Sequence, residues 1–329
     1  MKCLLIFFLT SLMLLCARMD PAGAEAPLTP KIVFTSARDG NYEVYIMNPD
    51  GSEQINLTQH PANDLQAVWS PNGEQILFAS DRNGVRDLYL MDPDGSDVER
   101  VFEKEVYREN PTWAPNGKQI AYVHINWNLL NFIIHIATLG EQEPEEFAVG
   151  PSQPAWSPDG SQIACSVGGR IAFINIRTRL QKRLLPRKAT HWQFHPSWSG
   201  TGNKIAFAWN SNPLPPDLEP GQPVPGEWVD QQTIYIANYD GTDLQQLVDQ
   251  GGPYAQYPAL SPSGDEVLYT QEINGQFQVF KVNMNSGIRT QLTDNVRSFG
   301  GDWFDPEYAL SVSLQPHPLT TTWAEVKKR

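Results

Sequence analysis

Short apolar runs of four to six residues, rich in β-branched and aromatic side chains, alternate with tight polar turns along most of this chain. Leu65-Gln66-Ala67-Val68-Trp69 is one such run, and Ser70-Pro71-Asn72-Gly73 closes it. Proline presets φ in that turn and Asn-Gly accepts φ > 0. Gln75 to Ser80 and Asp87 to Met91 follow as second and third strands, separated by Asp81-Arg82-Asn83-Gly84. After Asp92-Pro93-Asp94-Gly95, Val98 to Phe102 reads as a fourth, edge strand.

The whole pattern then repeats. Its marker recurs as Trp69-Ser70-Pro71-Asn72-Gly73, Trp113-Ala114-Pro115-Asn116-Gly117, Trp156-Ser157-Pro158-Asp159-Gly160, Trp198-Ser199-Gly200-Thr201-Gly202, Leu260-Ser261-Pro262-Ser263-Gly264 and a worn copy, Trp303-Phe304-Asp305-Pro306. The steps are 44, 43, 42, 62 and 43 residues. Four short antiparallel strands per period of this length predict a propeller blade. A single such sheet cannot bury both faces, so blades must stack on one another. The tryptophan column is expected to plug the seams between blades as core rather than form a ligand cage.

The expected fold is all-β: a six-bladed β-propeller whose N-terminal and C-terminal strands share one blade. Lys31 to Ser36 aligns with a second strand, and the missing inner strand is available around Phe299 to Trp303. Leu310 to Ser313 also aligns with a second strand, so either segment could complete the blade. The long step holds an insertion, residues 210–230, with prolines at 213, 215, 216, 220, 223 and 225. Such a segment predicts an extended, exposed loop. It should leave on the face that carries the connections into the inner strands.

The ends change the accounting. Lys2, the apolar run Leu4 to Ala17 and Ala22-Gly23-Ala24 have the order of a secretory signal peptide, residues 1–24, cleaved after Ala24. The apolar run is short for a membrane span. Residues 25–314 are then the propeller and 315–329 a peripheral tail, with no integral membrane span after cleavage. Cys3 and Cys16 leave with the leader. Cys165 remains alone in an apolar column and reads as a small core residue. The formal net charge of −13 would repel a phosphate backbone, which excludes nucleic acid as a partner.

Trp-Ser-Pro-Asn/Asp-Gly, followed by Phe34-Thr35-Ser36-Ala37-Arg38-Asp39-Gly40-Asn41-Tyr42-Glu43-Val44-Tyr45-Ile46-Met47 and its near copy Phe78-Ala79-Ser80-Asp81-Arg82-Asn83-Gly84, resembles the propeller repeats of the TolB family of the Tol-Pal envelope system. The resemblance covers about residues 30 to 304. It implies the propeller fold and a periplasmic setting. Proteins of that family carry a further domain before the propeller. Few residues lie between the expected cleavage site and Lys31, so that domain is expected to be absent.

Catalytic patterns are lacking: there is no G-x-S-x-G, H-E-x-x-H or P-loop. The repeated acidic turns at Asp50, Asp94 and Asp240 sit at one place in the repeat, which points to turn chemistry rather than calcium. His124 and His135 lie on successive strands, and His191 and His195 stand four apart, too far along a strand for one ion. A ring of polar residues stands three positions before each marker: Gln66, Asn110, Gln153, His195 and Tyr257, with Gly300 in the sixth place. These positions are expected to surround one mouth of the central channel, with Asp64, Arg108 and Glu109 adding charge beside them. The expected function is a non-catalytic secreted or periplasmic binding module, a monomer, that recognises an envelope protein or peptide at this mouth without cofactor or metal. The alternative is a carbohydrate-active enzyme, a lyase or hydrolase, using His195 with neighbouring carboxylates.

Overall fold

Alternate residues of each strand enter different seams, and this is how the repeat builds a ring. Ile76 and Phe78 pack toward one neighbouring blade, Leu77 and Ala79 toward the other. The computed structural model describes residues 24–127, 131–141, 143–216, 218, 222–249 and 254–309. These form six four-stranded antiparallel sheets. The predicted signal peptide, the competing strand 310–313 and the tail 315–329 lie outside the described residues. Among those described, no helix is long and apolar enough to cross a membrane.

Blade 1 is the shared one. Its inner strand, Ser298–Phe304, pairs with Lys31–Ser36, and Glu43–Met47 and Ile55–Asn56 complete it. Ile32 lies opposite Trp303 and Ser36 opposite Ser298, so the N-terminal segment takes the contested place. The inner strands of blades 2 to 6 are Asp64–Trp69, Arg108–Trp113, Ser152–Trp156, Gln193–Trp198 and Ala255–Leu260. In this up-and-down order the connections into inner strands share one face, here called upper, with the loops between second and third strands. The tryptophan-marked turns lie on the lower face.

Six apolar clusters fill the six seams, each drawing on two adjacent blades. Phe78, Tyr122, Cys165, Phe207 and Tyr269, which share one position of the second strand in blades 2 to 6, are fully buried. Burying one such aromatic contributes about 1.5–3 kcal/mol. The tryptophans bridge seams, as the sequence predicted. The Trp198 indole donates to the carbonyl of Ala155 in the preceding blade at 3.1 Å, and Trp303 to that of Ala259 at 3.0 Å. Even the worn marker closes the ring. The Phe304 ring lies against Trp69 at 5.3 Å and covers Gly73, where a β-carbon would collide with it.

The family-like heptad Phe-x-Ser-x-Arg-x-Gly has a mechanical role. Arg38 Nε donates to Ser36 Oγ at 2.9 Å, and the guanidinium caps Tyr45 at 4.5 Å from the ring centroid. Arg82 does the same with Ser80 and Tyr89, at 3.0 Å and 4.8 Å. The arginine thus seals the upper end of an aromatic seam. The predicted fourth strand Val98 to Phe102 shortens to Glu99–Arg100, because Phe102 turns inward and packs on Tyr122. Five of the six outer strands have two or three residues and leave little sheet edge for another chain to pair with, while that of blade 3, Glu145–Val149, has five.

Candidate functional site: the channel wall

All six positions of the predicted ring share one unusual backbone conformation. Gln66, Asn110, Gln153, His195, Tyr257 and Gly300 have φ of 59°, 51°, 55°, 53°, 53° and 66°. Each stands where the ladder to the second strand slips, so each is the extra residue of a β-bulge. A left-handed conformation costs a non-glycine residue roughly 1–2 kcal/mol. Five residues bear that strain around one axis, which is where functional sites concentrate it. Proline follows four of them, and having no N–H it leaves no orphan donor in the broken ladder.

The bulges bring all six positions into one cavity of about 340 Å3, together with Phe34, Leu65, Arg86 and Phe299. The ring is set within the channel wall, second or third along each inner strand in blades 2 to 6, rather than at the rim. Its side chains pair with one another. Gln66 Oε1 accepts the backbone N–H of Asn110 at 2.8 Å, and its amide donates to Asn110 Oδ1 at 3.1 Å. Gln153 Oε1 accepts the N–H of His195 at 3.0 Å, and its amide nitrogen meets His195 Nε2 at 2.9 Å. The imidazole lies 4.2 Å from the Tyr257 ring, which is 6.1 Å from that of Phe299. Gly300 leaves a gap, with nothing within 4 Å of where its β-carbon would stand.

Burial sets the protonation states. The His195 pKa is pushed down to about 3, so the ring is neutral. The Gln153 amide must donate to Nε2, since Gln153 Oε1 is already an acceptor for the His195 N–H. The proton therefore sits on Nδ1, which has no hydrogen-bond partner. The Tyr257 hydroxyl is raised, first by burial and then by Glu109. At the lower end of the channel Asp302 accepts the N–H of Trp69 at 2.8 Å, and burial pushes its pKa up to about 6.

Several expectations need correcting. Asp64 and Arg108 do not add free charge beside the ring. Arg82 reaches Asp64 at 3.0 Å, and Arg108 reaches Asp87 at 2.8 Å, all at buried or largely buried positions. Glu109 is engaged by the Tyr107 hydroxyl at 2.9 Å and by Arg86 at 3.4 Å. His191 is exposed, its Nδ1 2.9 Å from the carbonyl of Gly168, and is not brought to His195 in the channel. His124 and His135 do meet, at 5.6 Å and edge to face, and burial lowers both pKa values.

The proline-rich insertion is not simply an extended loop. Gly226–Val229 forms one helical turn, and Trp228 is buried against Trp192 at 5.1 Å. The Trp228 indole donates to the carbonyl of Pro213 at 2.8 Å, and Asn210 donates to the carbonyl of Trp228. Burying a tryptophan outweighs the extended preference of the surrounding prolines. The acidic turns behave as read: Asp50, Asp94 and Asp240 each accept from the backbone N–H and hydroxyl two residues on. Those donors lower all three carboxyl pKa values.

The sequence did not single out Arg86, Phe299 or Asp302. Arg86 reaches the cavity from the loop between the second and third strands of blade 2, and Phe299 stands next to the bulge at Gly300. The signal for Asp302 was available: it is a carboxylate immediately before a marker tryptophan, where other blades place Val68, Thr112, Ala155, Ser197 and Ala259.

Comparison with known proteins agrees with this geometry. Residues 17–148 match the model of the TolB beta propeller domain. The Tol-Pal system protein TolB of Geobacter sulfurreducens is 40% identical over 53 residues, which is 16% of this chain and 12% of that protein. TolB of Acinetobacter baumannii superposes with a TM-score of 0.68 at 17% identity, over 83% of this chain and 66% of that one. A putative TolB from Agrobacterium tumefaciens gives 0.62 at 19% identity, over 83% and 91%. A puromycin-hydrolysing peptidase of Mycobacterium tuberculosis gives 0.51 at 14% identity, over 82% of this chain and 44% of the enzyme. The matched repeats are similar to those of TolB propellers, and the six closed sheets make the fold a six-bladed β-propeller.

Proposed function

We propose that this chain is a non-catalytic binding module of the cell envelope, secreted or periplasmic, that recognises a protein or peptide on its upper face over the channel. The observation that carries this reading is the single cavity lined by all six bulged positions. Its size falls in the range of ligand sites, and its polar groups are few and held in place by neighbours. Relatives named as Tol-Pal system proteins support the envelope setting.

The lyase or hydrolase reading draws little support from His195. Its Nε2 is taken by Gln153, and burial keeps it neutral. A general acid or base working near neutral pH needs a pKa close to that range. The test is capture of envelope proteins on immobilised protein, followed by mass spectrometry, with the Gln153→Ala/His195→Ala double variant beside it. Loss of captured proteins in the variant, at a temperature where it is still folded, supports the binder. Turnover on a panel of glycans, abolished by His195→Ala, overturns it.

A further inference from the structure

A second cleft, of about 510 Å3, opens on the upper face between blades 2 and 3, outside the channel. Its walls are Val85 and Arg86 from the loop of blade 2, Val106 and Tyr107 from the connection into blade 3, and Trp127 at the end of the second strand of blade 3. Trp127 is 61% exposed and meets Tyr107 edge to face, with centroids 5.4 Å apart and planes at 83°. Val85 is also exposed. The two rings and the two valines make an open apolar slot.

Three polar side chains at the slot are engaged with one another, although Arg86 Nε is without a partner. The Tyr107 hydroxyl donates to Glu109 Oε2 at 2.9 Å, and Arg86 Nη1 donates to both the Tyr107 oxygen at 3.2 Å and Glu109 Oε2 at 3.4 Å. Side chains locked in this way offer a sugar ring few free hydroxyl partners. They do hold Tyr107 and Arg86 rigid, which lowers the ordering cost of an apolar contact. Trp, Tyr and Arg are also the residue types that dominate interface energetics. Arg86 lines the channel cavity as well, so cleft and channel share one wall residue. Two carboxylates border the cleft in a chain of net charge −13: Asp81, which accepts from Asn63, and half-exposed Glu105, 3.9 Å from Arg100 Nη1.

We infer that this cleft is an anchoring site for an extended basic segment of a partner protein. A proline or aliphatic side chain of that segment would sit against Trp127 and Tyr107, and a lysine or arginine would face Glu105. The inference rests on the reading of the upper face as peptide-binding and adds an off-axis anchor to it. Charge opposite to the rim speeds encounter and selects the partner, while the apolar slot holds it.

The experiment is calorimetric titration of the protein with a peptide of repeated Lys-Pro-Leu-Pro units and with its Glu-Pro-Leu-Pro counterpart. The basic peptide should bind and the acidic one should not. Trp127→Ala should weaken binding by about tenfold or more, with unchanged melting because Trp127 is exposed. Glu105→Lys should weaken it as well, and Gln153→Ala/His195→Ala should leave most of it. Equal binding of both peptides, no binding of the basic one, or indifference to Trp127→Ala overturns the anchor. Envelope-protein capture that depends on Gln153 and His195 would survive those outcomes, so failure here is distinguishable from failure of the channel reading. Binding of maltohexaose or chitohexaose that is lost in Trp127→Ala would overturn it in favour of a glycan site.

Discussion

Gln153 and His195 hold each other through two contacts that cross from blade 4 to blade 5. The Gln153 oxygen accepts the His195 backbone N–H, and its amide meets the imidazole Nε2. One side chain thus stabilises the strained backbone of its neighbour and also sets its tautomer. Replacing Gln153 with leucine leaves a half-buried N–H without its acceptor. The variant should lose about 1–3 kcal/mol of stability, measured by urea denaturation.

His195 carries a pH signature of its own. Its folded pKa of about 3 lies below the ordinary 6.5, so the unfolded chain binds the proton more readily. Its contribution is present above pH 6.5 and falls as pH drops toward 3. His195→Gln should flatten the acid side of the stability curve in that window. In the wild type, an imidazole signal that does not titrate between pH 5 and 8 in an NMR series should mark this ring.

Asp302 acts with the opposite sign. Its carboxyl is raised from 3.8 to about 6 by burial, so the folded state binds the proton more tightly. Stability from this group is greatest below pH 3.8 and is lost as pH rises through 6. Over part of this range it opposes His195, so the wild-type curve conceals both. Asp302→Asn should remove the loss while keeping an oxygen for the Trp69 N–H. The difference between wild-type and variant stability against pH isolates the Asp302 contribution.

Gly300 is the one ring position without a side chain. Its φ of 66° is close to that of the five others, and a β-carbon there meets nothing within 4 Å. Gly300→Asn should therefore fold, with a loss of no more than about 1–2 kcal/mol for the left-handed backbone. It should also fill the gap between Tyr257 and Gln66 and reduce capture of any channel ligand. Retained melting with lost capture is the expected pair of results.

Trp228 ties the insertion to the upper face. Trp228→Ala should expose residues 210–230 to limited proteolysis while the ring still melts cooperatively, because the indole packs on the loop side of blade 5 rather than in a seam cluster. Cleavage within that segment, read by mass spectrometry, is the measure.

Much of the fold was legible because its signals are local. The Trp-Ser-Pro-Asn-Gly markers, the Phe-x-Ser-x-Arg-x-Gly heptad and the alternation of Ile76 to Ala79 each act within a few residues. Counting strands placed the missing inner strand near Phe299 to Trp303 but left two candidates to pair with it, and the structure gives that place to Lys31–Ser36. The ring residues were also found by position, although their setting was not. Trp228 shows the limit: six prolines argued for an extended loop, and one buried indole outweighed them.

By itself, then, the chain determines six blades, their turns and the shared closing blade, since strand period and turn chemistry are properties of neighbouring residues. Only the tertiary structure decided which polar groups are free. Asp64 finds Arg82 across 18 residues, Gln66 finds Asn110 across 44 and Trp69 finds Asp302 across 233. The physical reason is that such pairing follows from ring closure and from left-handed bulges, which turn a side chain by backbone geometry and leave no mark in the pattern of apolar and polar positions.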